Sequence, residues 1–206
     1  MTDDNPPVGV GPHPAPWPDD ARLDPELLAN GDRRNVEDRF RYWSVDAIVS
    51  ELDGRRHGFH VAIENWEHDF NIGTVIRNAN AFLAAAVHII GPHRWDRRGA
   101  MSTHRYLHLH HHPDVGAFAD WAGAAHLPII AIDNGAGSVP IESTPIPRDV
   151  VLLFGQEGPG LSPAAVDAAD MQCAITQYGS TRSLNAGVAS GIAMYAWATR
   201  HAGCGE

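Results

Sequence analysis

The chain has 206 residues, 44% hydrophobic and 19% charged, which is enough apolar content for a packed core and too much for wholesale disorder. No apolar run reaches the ~20 residues of a bilayer-spanning helix. The opening Met1-Thr2-Asp3-Asp4 is acidic rather than a basic-then-apolar leader, and the two cysteines, Cys173 and Cys204, lack CxxC spacing, which excludes a disulfide scaffold and a cysteine-built zinc site and predicts a cytoplasmic, non-membrane protein.

The net charge of −10 argues at first against a nucleic-acid partner, but the charge is unevenly spread. In residues 1–31 six carboxylates against Arg22 make −5, whereas in residues 71–110 five arginines against Asp96 make +4. Every cation is arginine. The planar guanidinium suits bidentate phosphate contacts, and an all-arginine chain also follows from a biased genome composition; the residues leave both explanations open.

In chain order, prolines at 6, 7, 12, 14, 16 and 18 predict a disordered or PPII-like acidic tail over residues 1–31. Apolar residues at 45, 48, 49 and 52, with Ser44 as cap, predict a helix inside a short N-terminal helical extension, residues 32–57. From residue 58 onward short apolar runs alternate with helical patterns. Strands are predicted at 59–63, 86–90, 129–132, 150–154 and 173–175, and helices at 72–83, 114–125, 163–169 and 183–201. Apolar strands without polar alternation, separated by helices, indicate an α/β domain over 58–206 with a mostly parallel sheet and helices on both faces. In such sheets ligands bind at the carboxyl ends of strands, which directs attention to the loops after Ile63, Ile132, Phe154 and Ile175.

The first of these loops leads into Asn71-Ile72-Gly73-Thr74-Val75-Ile76-Arg77. Asn71 can cap the helix that follows. Arg77 lies nearly two turns in and opposes the helix dipole, so it answers to an anion or to a structural ion pair. The second, Gly155-Gln156-Glu157-Gly158-Pro159-Gly160-Leu161, has neither the Lys-Ser/Thr of a P-loop nor GxGxxG order; it builds a tight turn around the carboxylate of Glu157, with Ser162-Pro163 opening the next helix. The third, residues 175–192, places Ser183 and Asn185 where free backbone N–H groups meet a ligand. Leu184, Val188, Ile192 and Tyr195 read as a core stripe. Gly187 and Gly191 read as sites where another backbone comes close, in the same chain or across a dimer. His108, His110 and His112 alternate, which puts three imidazoles on one strand face; no carboxylate or cysteine completes a metal motif, so solvated or RNA-facing histidines are the preferred reading and no metal is expected.

Taken in this order, the three loops resemble the SpoU (TrmH) family of RNA ribose 2′-O-methyltransferases in the SPOUT class. The form N-x-G-x-x-x-R is matched by Asn71, Gly73 and Arg77. The loop G-x-E-x-x-G-L is matched by Gly155, Glu157, Gly160 and Leu161, and the last motif by Ile175, Gly179 and Ser183-Leu184-Asn185. The resemblance covers roughly residues 59–202. It implies a deep C-terminal trefoil knot, a homodimer whose facing C-terminal elements build the site, and S-adenosylmethionine held through backbone groups at Gly155, Ile175 and Leu184. It further implies Arg77 as central catalytic residue near the second subunit's cofactor, with Asn71, Glu157, Ser183 and Asn185 shaping the site. The substrate implied is RNA, tRNA or rRNA, with tRNA favoured because the extension is too short for a ribosomal-protein-like RNA-binding domain. Arg94, Arg97, Arg98, Arg105 and Arg182 are the expected RNA contacts. Thr176 stands where the family has proline. The competing reading is a catalytically inactive RNA-binding protein that keeps the fold.

Overall fold

The computed structural model describes residues 9–66, 71–156 and 158–203. The chain divides into two compact units, residues 1–55 and 56–206.

The described part of the first unit is ordered where the prolines predicted a tail. Helix α1 (Pro25–Asn30) is capped by Asp24, which accepts from Glu26 N, and helix α2 (Val45–Asp53) by Ser44, which accepts from Ala47 N. Asp32 explains the order. Its wholly buried carboxylate accepts from Arg34 N, Nε and Nη2 and from Tyr42 N at 2.7–3.0 Å. Its backbone pairs with Val10, while Tyr42 Oη donates to the Gly11 carbonyl at 2.6 Å. Proline removes donors, but carbonyls remain, and here they find partners. Residues 1–8 lie outside the described residues.

The second unit is a seven-stranded, all-parallel sheet in the order β3-β2-β1-β6-β4-β7-β5. Its elements run β1 (Phe59–Glu64), α3 (Asn71–Ala81), β2 (Val87–Ile90), β3 (Leu109–His112), α4 (Val115–Ala124), β4 (Ile129–Ile132), β5 (Val139–Pro140), β6 (Val150–Phe154), α5 (Pro163–Asp167), β7 (Met171–Ala174) and α6 (Ala186–His201). Strand β6 is central and wholly buried, and its side chains alternate between two cores. Val150, Leu152 and Phe154 join Ile72, Ile76, Met194 and Trp197 on the α3/α6 side; Val151 and Leu153 join Phe118, Ala122, Leu161 and Ala165 on the α4/α5 side. Both faces are therefore covered, as apolar parallel strands require.

Helix α6 starts three residues later than its pattern predicts, because Asn185 Oδ1 accepts from Val188 N and ends the preceding loop as an N-cap. The face of α6 turned to the core is Gly187, Ser190, Ala193, Met194 and Trp197. The predicted core stripe is thus corrected: Val188, Ile192 and Tyr195 are 53%, 38% and 62% exposed, and Leu184 36%. Small residues face inward because α3 lies close. A Cβ on Gly187 would stand 2.7 Å from Thr74 Cγ2, and one on Gly191 3.3 Å from Asn78 Nδ2. The close neighbour is α3 of the same chain, met through side chains. Among the described residues no helix is long and apolar enough to cross a membrane.

Candidate active site

Four strands that end side by side, β1, β6, β4 and β7, deliver their following loops to one edge of the sheet. The loop after β6 turns back on itself: Gln156 N and Gly160 N each donate to the other residue's carbonyl, at 3.2 and 3.1 Å. This return leaves no space at Gly155, where a Cβ would lie 2.3 Å from the Gly160 carbonyl carbon and from Leu161 N. Any other residue there would force the turn open.

The turn is tied on both flanks. From β4, Asp133 Oδ2 accepts from Leu161 N at 3.1 Å and its Oδ1 from Asn134 N at 2.7 Å. From β1, the wholly buried Glu64 accepts from Ser162 N and Ser162 Oγ, both at 2.7 Å, and from Trp66 Nε1 at 2.8 Å. A buried carboxylate needs such donors to offset its lost hydration. Ser162 Oγ also accepts from Ala165 N and caps α5, as its sequence predicts.

Between these loops lies a cleft of about 520 Å3, within the range of small-molecule and cofactor sites. Ile132 and Phe154 form an apolar wall, Gly155, Gln156, Gly158, Pro159 and Gly160 line the cleft from the second loop, and Asp133 brings a carboxylate. The third loop closes the other side with Ile175, Gln177 and residues 182–186. Gly155, Ile175, Leu184, Ser183 and Asn185, which the motifs single out, are thus brought together. Arg182 also lines the cleft, with its carbonyl taken by Asn134 Nδ2. Thr176, in place of proline, has an N–H to spend: N and Oγ1 donate to the two oxygens of Glu142 at 3.0 and 3.1 Å, which fixes the loop by another route.

Those of the remaining expected residues that are described stand elsewhere. Arg77 and Asn71 are on α3 and do not line this cleft. Asn71 is buried and is the first described residue of α3. Arg77 is exposed and has no hydrogen bond or ion pair among the described residues. Glu157 lies outside the described residues. Arg94, Arg97, Arg98 and Arg105 are exposed; Arg98 is held by Asp96 at 2.6–3.1 Å, and Arg97 lies 5.9 Å from the Trp95 ring.

Asp133, Asn134 and Gln156 were not singled out by sequence reasoning. Their signal was position alone, polar residues directly after the strands whose loops were already suspected.

The histidines are neither solvated as a set nor gathered on a metal. His60, His88 and His112, from β1, β2 and β3, form a chain of ring-nitrogen hydrogen bonds, His60 Nδ1 to His88 Nε2 at 3.1 Å and His88 Nδ1 to His112 Nε2 at 2.9 Å. Trp121 of α4 covers His88, with ring centroids 3.8 Å apart. Burial, reinforced by the neighbouring histidines, pushes His88 down to about 2; burial likewise takes His60 to about 4 and lowers His112. The alternating His110 and His112 follow strand β3, and only His112 is buried. Among the described residues no group of three or more His, Cys, Asp or Glu is disposed to hold a metal ion.

The model of the SpoU rRNA Methylase family matches residues 58–195. The chain is 25% identical over 151 residues to a tRNA (guanosine(18)-2′-O)-methyltransferase of Escherichia coli (strain K12), which covers 72% of this chain and 66% of that relative. It is 29% identical over 133 residues to a 23S rRNA (guanosine(2553)-2′-O)-methyltransferase of Bacillus subtilis (strain 168), covering 61% and 52%. Among solved structures, the AdoMet-bound rRNA methyltransferase from Sinorhizobium meliloti superposes with a TM-score of 0.64 at 27% identity, over 73% of this chain and 60% of that one. The chain therefore spans between about half and two thirds of the length of these proteins.

Proposed function

The chain belongs to the SpoU rRNA Methylase family, and on that premise we propose that it transfers a methyl group from S-adenosylmethionine to a ribose 2′-oxygen of RNA, acting as a homodimer. The observation that carries this reading is the meeting of the 155–160 turn, Ile175 and residues 182–186 around one cleft.

The cleft suits that cofactor. Its apolar wall accepts an adenosyl group, its glycine turn offers backbone groups rather than a phosphate cradle, and among the described residues Asp133 and Arg182 bring charges of opposite sign to face a zwitterionic amino-acid end and a sulfonium. When bound, S-adenosylmethionine supplies an electrophilic methyl for in-line displacement by the 2′-oxygen. Gly155, Ile175 and Leu184 hold it through the backbone. Ser183, Asn185 and Glu157 shape the site and orient the ribose, Asn71 joins them from the second subunit together with the Arg77 helix, and the apolar wall keeps water from competing.

Arg77 completes the site from the second subunit. It is exposed, lacks a partner among the described residues and stands away from its own cleft. The dimer face is the exposed stripe Val188, Ile192 and Tyr195 on α6, the helix that Asn78 joins to the Arg77 helix. A guanidinium stays protonated in proteins and cannot act as base, so Arg77 holds a substrate phosphate or the developing alkoxide. Arg94, Arg97, Arg98, Arg105 and Arg182 contact RNA. The family further implies a threaded C-terminal end. Of the two RNA classes we favour tRNA, since the chain covers more of the tRNA-directed relative than of the rRNA-directed one.

Labelled methyl incorporation into total RNA, followed by mapping of 2′-O-methyl sites in cells with and without the protein, tests the reading. Ribose label at a discrete tRNA position is expected. RNA binding without methyl transfer would instead identify an inactive RNA-binding member of the family.

A further inference from the structure

One side chain beside the cleft has no part in the chemistry above. Trp66, in the loop after β1, is 40% exposed, yet the residue is held at three points, two of them on its indole. Nε1 donates to Oε1 of buried Glu64 at 2.8 Å, and its backbone N–H donates to Oε1 of Gln156, a cleft residue, at 2.9 Å. Its Cε3–Cζ3 edge lies on Gly91, where a Cβ would sit 3.0 and 3.1 Å from those carbons and where φ is +112°. Glycine is what lets the chain pass beneath the ring.

The anchor itself is rigid, because Glu64 also accepts from Ser162 N and Oγ. The residue before Trp66 is stitched in the other direction: Asn65 Nδ2 donates to the carbonyls of Pro92 and Arg94 at 2.6 and 3.0 Å. The indole is thereby fixed between the cleft and the start of the arginine-rich segment.

The only polar atom of the ring is used internally, so what Trp66 offers to the outside is an apolar π surface. Unpaired nucleobases stack on such surfaces, whereas bases inside a duplex are already stacked and cannot. A ring fixed in advance loses little freedom when a base settles on it. We propose that Trp66 is the stacking platform for an unpaired nucleobase of the RNA substrate, at or next to the methylated nucleotide. This rests on the RNA methyl-transfer reading and narrows it: the substrate presents its target in a loop or a splayed single strand, with the base on Trp66 and the backbone toward the arginines.

The test compares W66F, which keeps a flat aromatic face, with W66L, which keeps apolar bulk without one; both lose the bond to Glu64. A fluorescent single-stranded oligoribonucleotide reads binding by anisotropy, undermodified total tRNA reads KM and kcat, and S-adenosylmethionine affinity and thermal melting report the fold. W66L is expected to weaken oligonucleotide binding and raise KM for tRNA by about 5- to 150-fold, or ~1–3 kcal/mol at 1.4 kcal/mol per decade. W66F stays within about threefold, and cofactor affinity holds in both. Equal losses in the two variants would overturn the proposal by showing that the Glu64 bond matters and the ring face does not, as would unchanged binding in W66L. If the unaltered protein binds the oligonucleotide but transfers no methyl, the enzymatic reading fails while the binding arm still judges Trp66; if it binds no RNA, both fall.

Discussion

Asn78 Nδ2 donates to the Gly187 carbonyl across 2.9 Å, and to Ser190 Oγ at 3.0 Å. This ties α3, the helix of Arg77, to α6, the helix that Asn185 caps and that carries the exposed apolar stripe. The helix of the arginine and the helix of the proposed dimer face are therefore joined directly, and the small residues of α6 are what permit it.

Gly187→Ala tests the close approach directly. Its Cβ would meet Thr74 Cγ2 at 2.7 Å, an overpacking that costs about 1–3 kcal/mol against up to ~1 kcal/mol gained in helix propensity. Net destabilisation is expected in urea unfolding, with recovery in the Gly187→Ala/Thr74→Ala pair and a coupling of at least ~0.5 kcal/mol. Additive losses would show that the contact is not the cause.

Arg77→Ala should lower methyl transfer by roughly 100- to 1000-fold, the scale of losing one donor to developing negative charge. Cofactor affinity, measured by calorimetry, should stay nearly unchanged, because Arg77 does not line its own cleft. Parallel loss of both would mark a structural role.

The histidine chain makes stability depend on acid. Burial holds His60 at about 4 and His88 at about 2, below the ordinary 6.5. Below pH 6.5 the unfolded chain takes up protons that the folded one refuses, so stability present above 6.5 is lost steadily as pH falls toward 4. The melting temperature should drop over that window, and less steeply in His88→Gln, which retains a donor and an acceptor for both neighbours. An identical slope in the variant would exclude His88 as the source.

Ile192→Glu places a charge on the exposed face of α6. If the stripe joins two subunits, dimer affinity should fall at least ~30-fold, as for loss of a 2 kcal/mol contact. Light scattering should then report monomer at micromolar protein, with methyl transfer lost and the circular dichroism spectrum kept. A variant that stays dimeric and active would remove this face from the assembly.

Five of the seven strands and the four helices of the second unit were legible because burial on two faces leaves apolar runs and burial on one leaves a helical stripe; β3 and β5, the two edge strands, are largely exposed and leave no such run. The second and third turns were legible because their glycines and caps have local reasons. Glycine 155 must let its own turn return, and Ser162 and Asn185 cap the helices that follow them. The α6 stripe misled because periodicity shows which residues share a face, not which face meets the core. Here the face of Gly187, Ser190 and Trp197 won, since only small residues admit α3. The contacts of Asp32 with Val10 and Tyr42 join residues distant in sequence, so no local pattern among the prolines records them.

What local sequence determined, then, was the buried strands, the helices, the caps at Ser44, Ser162 and Asn185 and the residues offered at each strand end, since these depend on neighbours a few positions away. Tertiary structure alone decided that β1, β6, β4 and β7 lie in sequence-remote order, and so that Asp133, Gln156 and Ser183 share a cleft while Trp66 is fixed beside it. Parallel strands pair through crossovers, and no short-range pattern in a chain records which strand will become its neighbour.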